Sequence, residues 1–203
     1  MTFDFNEKYI LENEKIILKP LEETDFEKLL VFSLNEPEIW KYSLVDAIGE
    51  NRLKNYINLA LQGRNNKNEY PFVVIEKESN KIIGSTRFYD IQLNNKTSQL
   101  GFTWYGKEFQ GTGVNKHCKY LLLKFAFEKI GFERIEFRAD NNNERSIRAM
   151  KSIGCTIEGI LRSNGVRPDG NRRDSIILSI LKSEWYDKIN IELKSKLEQN
   201  ISG

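Results

Sequence analysis

The segment from residue 100 to residue 130 constrains the fold most. It begins with an alternating apolar stretch that ends at Tyr105, passes through a glycine-rich loop and continues as a long apolar stretch from about Val114. This order predicts a strand, a glycine loop and a helix. The first N–H groups of a helix have no partner within the helix, and the helix dipole is positive there. The segment therefore predicts a binding site for a negative group at the start of the helix.

The residues of the loop support that prediction. Gly111 and Gly113 let the backbone bend sharply and approach a ligand with no side chain in the way. Lys116, His117 and Lys119 place positive charge in the first turns of the helix, where it costs free energy unless a negative group binds nearby. A phosphate or diphosphate would satisfy the amides and the charges together. On these residues alone, a solvated basic loop without a ligand remains the alternative.

Two common phosphate motifs do not fit the loop. A Walker A loop has a lysine where this chain has Thr112, although Gly106 and Gly111 have the required spacing. A dinucleotide-binding fingerprint needs a third glycine where this chain has Lys116. The loop therefore predicts a phosphate ligand that belongs to neither class.

Strand and helix patterns alternate along the rest of the chain and predict one mixed α/β domain. Outside the segment above, strands are predicted over residues 15–20, 72–77, 81–91, 134–140, 155–162 and 174–182, and helices over 24–34, 48–62, 142–154 and 183–199. A polar loop is predicted over residues 163–173. Thr24 is the predicted N-cap of the first helix, with Glu27 as its capping-box partner. The predicted buried face of the second helix consists of Leu53, Tyr56, Ile57 and Ala60, and the side chains predicted to share one face of the strand at residues 97–105 are Leu100, Phe102 and Trp104.

Composition narrows the class of protein. The chain has 203 residues with 39% apolar residues, enough for the core of one domain, and its net charge of +2 gives no reason to expect nucleic acid. No stretch has the length and apolarity of a membrane span, and no signal peptide is recognised at the start. Cys118 and Cys155 lack the spacing of a disulfide framework or a zinc site. We therefore expect a cytoplasmic protein without a metal, a nucleic-acid partner or a membrane partner.

Three motifs, taken together, resemble one family. Residues 110–115, Gln-Gly-Thr-Gly-Val-Asn, resemble the coenzyme A loop of the GNAT N-acetyltransferases, Gln/Arg-x-x-Gly-x-Gly/Ala, with Asn115 at the place of the usual small residue. Residues 143–146 and 151–155 resemble the Asn-x-x-Ser…Gly-Phe element of that family, with Cys155 in place of the aromatic residue. Residues 158–162, Glu-Gly-Ile-Leu-Arg, resemble the branch that includes the acetyltransferases of ribosomal-protein N-termini. The resemblance covers about residues 9–182.

The resemblance implies both a fold and an activity. The implied fold is the GNAT fold, a central, mostly antiparallel twisted sheet with a splayed pair of parallel strands, flanked by helices. It would occupy residues 9–182, followed by a helical tail over residues 183–203. Acetyl-CoA would lie where the strands at residues 100–105 and 134–140 separate, and a primary amine would attack its thioester. The acceptor would be a protein N-terminal α-amine or a small-molecule amine, and relatives occur as monomers and homodimers.

The resemblance also implies which residues hold the cosubstrate. The pantetheine arm would pair with the backbone of Thr103, Trp104 and Tyr105, where an N–H group could also stabilise the developing oxyanion. Asn143 would hydrogen-bond the arm, and Ser146 would lie beside it. The diphosphate would lie on the loop and the start of the helix, at Gln110, Gly111, Thr112, Gly113, Val114, Asn115 and Lys116.

The catalytic groups are less completely specified. Many relatives use a tyrosine late in the second motif helix as the acid, but this chain has Met150 at that place. Ser146 is therefore the candidate acid. The alternative is that Ser146 only caps the helix. Relatives often carry a glutamate base where this chain has Gln99, and Glu158 is either a replacement base or an ordinary exposed residue. His117 is expected at the surface or facing the phosphate, and Cys118 in the core. A non-catalytic acyl-CoA binder or sensor remains the competing function.

Overall fold

The computed structural model describes residues 3–199, and the side chains of residues 3–198. Its strands are β1 (Leu11–Glu12), β2 (Ile16–Pro20), β3 (Tyr70–Glu76), β4 (Lys81–Gln92), β5 (Thr97–Tyr105), β6 (Arg134–Asp140), β7 (Thr156–Val166) and β8 (Arg172–Leu181). They form one eight-stranded sheet in the order β1-β2-β3-β4-β5-β6-β8-β7. Neighbouring strands are antiparallel except β5 and β6, which are parallel. The predicted mixed α/β fold with one parallel pair is confirmed.

Helices cover both faces of the sheet. They are α1 (Phe26–Asn35), α2 (Glu50–Asn65), α3 (Val114–Lys124, continued by π-helical turns over Phe125–Ile130), α4 (Glu144–Ser152), α5 (Lys182–Glu184) and, after further π-helical turns over Trp185–Ile189, α6 (Asn190–Gln199). α1 and α2 bury one cluster against Val73, Ile82 and Trp104. The predicted face of α2 is confirmed, since all four of its predicted side chains are buried there. α3, α4 and the C-terminal segment share a larger cluster on the opposite face, which includes Leu122 and Trp185.

A β-bulge in β5 overturns the prediction that Leu100, Phe102 and Trp104 share one face. Leu100 lies in the cluster under α3, whereas Trp104 lies in the cluster under α2. Arg87 of β4 pairs with Gly101 of β5, and Ser85 pairs with Trp104. Thr86, which lies between them, therefore stands opposite two residues of β5, Phe102 and Thr103. Phe102 takes the positive φ of 49° that the extra residue requires. Because of the bulge, Thr103 and Tyr105 point towards α3 instead of away from it.

Two local predictions are wrong. Thr24 is not an N-cap, because it lies inside a 3₁₀ turn (Glu23–Asp25) in which the carboxylate of Asp25 accepts a hydrogen bond of 3.0 Å from the N–H of Glu22. The predicted polar loop over residues 163–173 is mostly strand, because β7 and β8 remain paired as far as Val166 and Arg172. β7 is an edge strand exposed along nearly all its length, so its sequence lacks the apolar alternation that identifies a half-buried strand.

Candidate active site

The parallel strands β5 and β6 separate halfway along their length. They pair only at Thr97 with Arg134, Ser98 with Ile135 and Gln99 with Glu136. Beyond Gln99, β5 continues beside β4 and β6 continues beside β8, so a gap opens between them. The backbone edge of residues 100–105 that faces this gap has no strand partner. An unpaired strand edge of this kind can pair with an extended ligand that carries amide groups.

The loop at the open end of the gap presents free amides. Gly111 and Gly113 have φ angles of 84° and 90°, and a Cβ on either would meet no atom within 4 Å. Within residues 3–199, the N–H groups of residues 111–115 donate to no acceptor. Lys116 differs from the prediction, because its N–H already donates to the carbonyl of Gly113 at 2.9 Å. The loop is therefore an anion cradle of the kind found at helix N-termini, built from five amides.

Side chains of the loop hold the backbone in this arrangement. The amide Nε2 of Gln110 donates to the carbonyl of Tyr105 at 2.9 Å, which folds the loop back onto the end of β5. The hydroxyl of Tyr105 donates to Oδ1 of Asn115 at 3.3 Å, and the hydroxyl of Thr112 donates to the carbonyl of Phe109 at 2.8 Å. Because these side chains bond to their own segment, the loop has its shape before a ligand binds. The side chain of Trp104 packs against Phe32 and Trp40, so only its backbone faces the gap.

Two of the cations beside the loop could not be assigned from the sequence. Nζ of Lys15, in the β1–β2 turn, donates to the carbonyl of Thr112 at 3.0 Å. The guanidinium of Arg145, in the first turn of α4, donates to Oε1 of Gln110. Lys116 is half-buried and pairs with no carboxylate in the described part of the chain. Only tertiary folding brings Lys15 and Arg145 to the loop, so no spacing in the sequence signals them.

His117 is not at the surface, which corrects that half of the expectation, and its Nδ1 contacts the β1–β2 turn rather than the loop. The residue is 2% exposed, and its Nδ1 lies 3.0 Å from Nδ2 of Asn13 and 3.2 Å from the carboxylate of Glu14. Burial lowers the pKa of His117, with Glu14 partly opposing the effect. The neutral imidazole therefore links α3 to the β1–β2 turn.

Lys119 also lies away from the loop. It is 5% exposed, and its Nζ donates to Oγ1 of Thr103 at 2.7 Å. The same Nζ lies 5.8 Å from the centre of the Phe137 ring, on β6. Burial lowers the pKa of Lys119. The side chain of Lys119 thus lies between the two separating strands. The sequence had instead suggested that it places positive charge beside the phosphate.

The start of α4 closes the other side of the site. Oδ1 of Asn143 accepts a hydrogen bond of 3.1 Å from the N–H of Ser146, so Asn143 is the N-cap of α4. The hydroxyl of Ser146 is half-buried and makes no hydrogen bond to residues 3–199. Met150 lies in the core cluster, and so does Cys118 as expected. The hydroxyl of Ser146 is therefore available to a ligand, and Asn143 is the residue that caps the helix.

Gln99 lies where the gap closes, on the face opposite α3. Its Nε2 donates to the carboxylate of Asp90 at 2.9 Å, while its Oε1 is buried and has no donor within the described residues. Glu136, the partner of Gln99 across the strands, forms ion pairs with Arg134 and Arg138. This orphaned amide oxygen is an acceptor that a bound N–H group could satisfy.

Two further carboxylates on this face are held by arginines. Asp140, at the end of β6, is buried and accepts a 2.7 Å hydrogen bond from Arg167. Burial alone would raise the pKa of Asp140, but the hydrogen bonds from Arg167 and the Asn142 N–H hold it below its usual value. Glu158 pairs with Arg134 at the closed end of the strands, and that hydrogen bond lowers the pKa of Glu158. A carboxylate stabilised in this way is a weak base, so the reading of Glu158 as an ordinary surface residue fits the structure.

Three acidic residues between α1 and α2, which could otherwise attract an amine, already have partners. Glu36 accepts from the N–H of Lys107 at 2.7 Å, Glu38 pairs with the ammonium of the same lysine, and Asp46 pairs with Arg52. A concave pocket of about 430 Å³ lies beside α2 and contains none of the predicted site residues. The candidate site is therefore the open gap between β5 and β6, with the loop at its mouth.

Comparison with known proteins agrees with this geometry. The family model described as an acetyltransferase (GNAT) domain matches residues 15–156. The chain belongs to the GNAT acetyltransferase family. As a GNAT protein it is an acyltransferase, and the matched residues include both β5 and β6 and the glycine loop between them. Across residues 3–199, no group of three or more His, Cys, Asp or Glu side chains could hold a metal ion, and no helix is long and apolar enough to cross a membrane.

Three similar proteins carry names that include N-acetyltransferase. The chain is 27% identical over 180 residues to "Uncharacterized N-acetyltransferase p20" of Bacillus licheniformis, covering 86% of this chain and 97% of that protein. It is 30% identical over 104 residues to YdaF of Bacillus subtilis (strain 168), provisionally named a ribosomal N-acetyltransferase, covering 51% of this chain and 56% of YdaF. The fold matches the spermidine N-acetyltransferase of Vibrio cholerae, solved in complex with CoA and spermine, with a TM-score of 0.71 and 19% identity over 86% of this chain and 99% of that one.

Proposed function

We propose that the protein is an acetyl-CoA-dependent N-acetyltransferase that moves an acetyl group to a primary amine by direct attack in a ternary complex. The observation that carries the proposal is the set of five unpaired amides at residues 111–115, which lie at the open end of an unpaired strand edge. Coenzyme A has a diphosphate and an amide-bearing arm, and this pair of features offers a binding partner to each.

The residues present fit the diphosphate. Five N–H groups at the positive end of α3 would donate to its oxygens, and the open space above Gly111 and Gly113 leaves room for it. Lys15, Lys116 and Arg145 would supply positive charge around it. The predicted contact through the N–H of Lys116 is dropped, since that group is already bonded.

The residues of the gap fit the pantetheine arm. Its amides would pair with the free backbone edge of Thr103, Trp104 and Tyr105, as an added strand pairs with a sheet edge. On the α4 side, Nδ2 of Asn143 has no acceptor within the described residues while its Oδ1 caps the helix, so Nδ2 would donate to the arm. The hydroxyl of Ser146 would lie beside it.

Acetyl-CoA, when bound, supplies an activated thioester. The chain would hold the acceptor amine by a hydrogen bond to Oε1 of Gln99, the buried acceptor that has no donor. A free N–H on the bulged part of β5 would stabilise the negative charge that develops on the carbonyl oxygen. The hydroxyl of Ser146 would serve as the acid that gives a proton to the departing thiolate. Gln99 can orient the amine but cannot take its proton, so the proton would leave to water.

A non-catalytic acyl-CoA sensor is the competing function, because Met150 and Gln99 replace the usual acid and base. A thiol-release assay with acetyl-CoA, run across peptides with free N-termini and small amines, separates the two. We expect release with at least one primary amine and a lower rate in the Ser146→Ala variant. Tight binding of acetyl-CoA without release for any acceptor would favour the sensor. An unchanged rate for Ser146→Ala would remove that residue from the mechanism.

A further inference from the structure

Lys119 is a buried amine, and the described residues offer almost no compensation for a positive charge on it. Nζ carries three N–H donors, and a single acceptor is found for them within residues 3–199, Oγ1 of Thr103 at 2.7 Å. None of the carboxylates in that part of the chain lies within 4 Å of it. A buried ammonium that lacks a negative partner is strongly disfavoured. Burial accordingly lowers the pKa of Lys119, and the charged form is favoured only when a negative group, which the described residues do not supply, lies beside it.

The groups around Lys119 do not provide that partner. Cys118, on the same helix, and Cys155, on the segment before β7, are the titratable groups that interact with it. Burial raises the pKa of Cys118, and it raises the pKa of Cys155 to about 12, so both stay neutral thiols. The hydroxyl of Thr103 is itself shared with Thr86, whose Oγ1 lies 2.8 Å away. Two donors of the ammonium thus remain available.

The position of Lys119 matches one part of the proposed cosubstrate. Thr103 and Phe137 stand on the two strands that separate, so the ammonium lies at the gap itself. Lys119 follows Val114, the first residue of α3, by five positions, about 7.5 Å along the helix axis, and therefore lies deeper than the diphosphate would. The bulge at Phe102 is what turns Thr103 towards α3 and makes the contact possible. A ligand that enters from the loop would bring its far end, the thioester, towards this point.

We propose that Lys119 is a catalytic residue whose ammonium contacts the thioester sulfur of bound acetyl-CoA and stabilises the thiolate as it leaves. The inference rests on the proposed function. In the step, the amine nitrogen forms a bond to the acetyl carbon, the carbon–sulfur bond breaks with its electron pair on sulfur, and the proton of the amine goes to water. Lys119 stabilises the thiolate as it forms, and the hydroxyl of Ser146 then passes it a proton that is replaced from water. Two charges of opposite sign then face each other in a buried gap, where their attraction is much stronger than in water. Thr103 acts as the positioning residue that holds Nζ in place.

Free coenzyme A tests the proposal without an acceptor and without turnover. The thiol of bound CoA is titrated by thiolate absorbance between pH 6 and pH 10, with desulfo-CoA as the reference that lacks the sulfur. We expect the pKa of the bound thiol to lie at least about one unit below that of free CoA, as for an ionisable group beside an opposite charge. In Lys119→Met the shift should disappear, while desulfo-CoA binds within about twofold of its wild-type Kd.

Two variants keep the test decisive. Lys119→Arg keeps the charge and should keep most of the shift, whereas Lys124→Met removes an exposed lysine of the same helix and should change nothing. Lys119→Met should fold with an equal or higher Tm, since it removes a buried charge. An unshifted thiol in the wild type, or equal weakening of CoA and desulfo-CoA by Lys119→Met, would overturn the role of Lys119 and leave the proposed function standing. Failure of the wild type to bind CoA would overturn both.

Discussion

Helices α3 and α4 begin on the two sides of the same site but treat their first N–H groups in opposite ways. α4 has Asn143 as an N-cap whose side chain satisfies Ser146, and an acidic residue, Glu144, in its first turn. α3 has Gly113 as its N-cap, no side-chain cap and no acidic residue in its first turn. The N-cap of α4 satisfies the N–H of Ser146, whereas α3 leaves five amides of its loop and first turn without an acceptor within residues 3–199.

The difference separates a structural helix end from a binding one. A capped end gains stability from its own residues and has little affinity left for an anion. An uncapped end gives up that stabilisation and presents the dipole and the amides to a ligand. A hydrogen bond joins the two helix ends, because the guanidinium of Arg145 in α4 donates to the side chain of Gln110 in the loop.

The largest effect is expected when the open end is blocked. Gly113→Val should weaken CoA binding by about 100-fold or more, because the side chain would enter the space above the amides. Isothermal titration calorimetry measures this loss. Gly170→Val is the matched control, since Gly170 has a similar φ of 84° and equally open surroundings in the β7–β8 turn. It should lose similar stability but keep its affinity. Equal affinities of the two variants would mean that CoA does not bind at Gly113.

A smaller effect is expected when a cation is removed from the open end. Lys15→Ala should weaken CoA binding by about tenfold, because Lys15 bonds to the carbonyl of Thr112 and adds charge beside the loop. Lys8→Ala removes an exposed lysine paired with Glu22 and serves as the control. The ratio of the two Kd values should fall as salt is added, since salt screens exposed charges. A ratio that does not change with salt would argue against an electrostatic role for Lys15.

At the capped end, stability should change more than binding. Asn143→Ala should lower the free energy of unfolding by about 1 kcal/mol, the usual loss for an N-cap. Asn143→Asp keeps a cap of equal quality but removes Nδ2, so it should retain stability and lose only a few-fold in CoA affinity. Urea denaturation and calorimetry measure the two effects. Equal destabilisation by both variants would show that the cap is not what Asn143 contributes.

The smallest effect concerns pH. The pKa of His117 is lower in the folded protein than its ordinary value near 6.5, so below that pH the unfolded chain binds more protons. The stabilisation from the neutral imidazole is thus complete above about pH 6.5 and is lost as the pH falls. Between pH 7.5 and 5.5, the wild type should lose more unfolding free energy than His117→Gln. Denaturation curves of both proteins at the two pH values measure the difference, and parallel losses would contradict a neutral, buried His117.

The sequence was most informative where one local pattern decides the structure. The glycine loop and the face of α2 follow from local spacing, and the element at Asn143 follows from its resemblance to a GNAT motif. It failed at Phe102, because an extra residue in one strand leaves no mark in an alternating pattern until its partner strand is known. It failed again at His117, expected at the surface or facing the phosphate, and at Lys119, expected beside the phosphate, because tertiary contacts bury both groups. Lys15 and the orphaned oxygen of Gln99 are products of the fold and have no local signal.

The most direct test of the open helix end is to follow its amides while coenzyme A binds. Titration of ¹⁵N-labelled protein with CoA should shift the amide proton signals of Gly111, Thr112, Gly113, Val114 and Asn115 downfield, as expected for new hydrogen bonds to a diphosphate. The amide of Ser146, already bonded to Asn143, should not shift downfield in the same way. Bound CoA that leaves residues 111–115 unshifted, or shifts clustered away from the loop, would contradict the account.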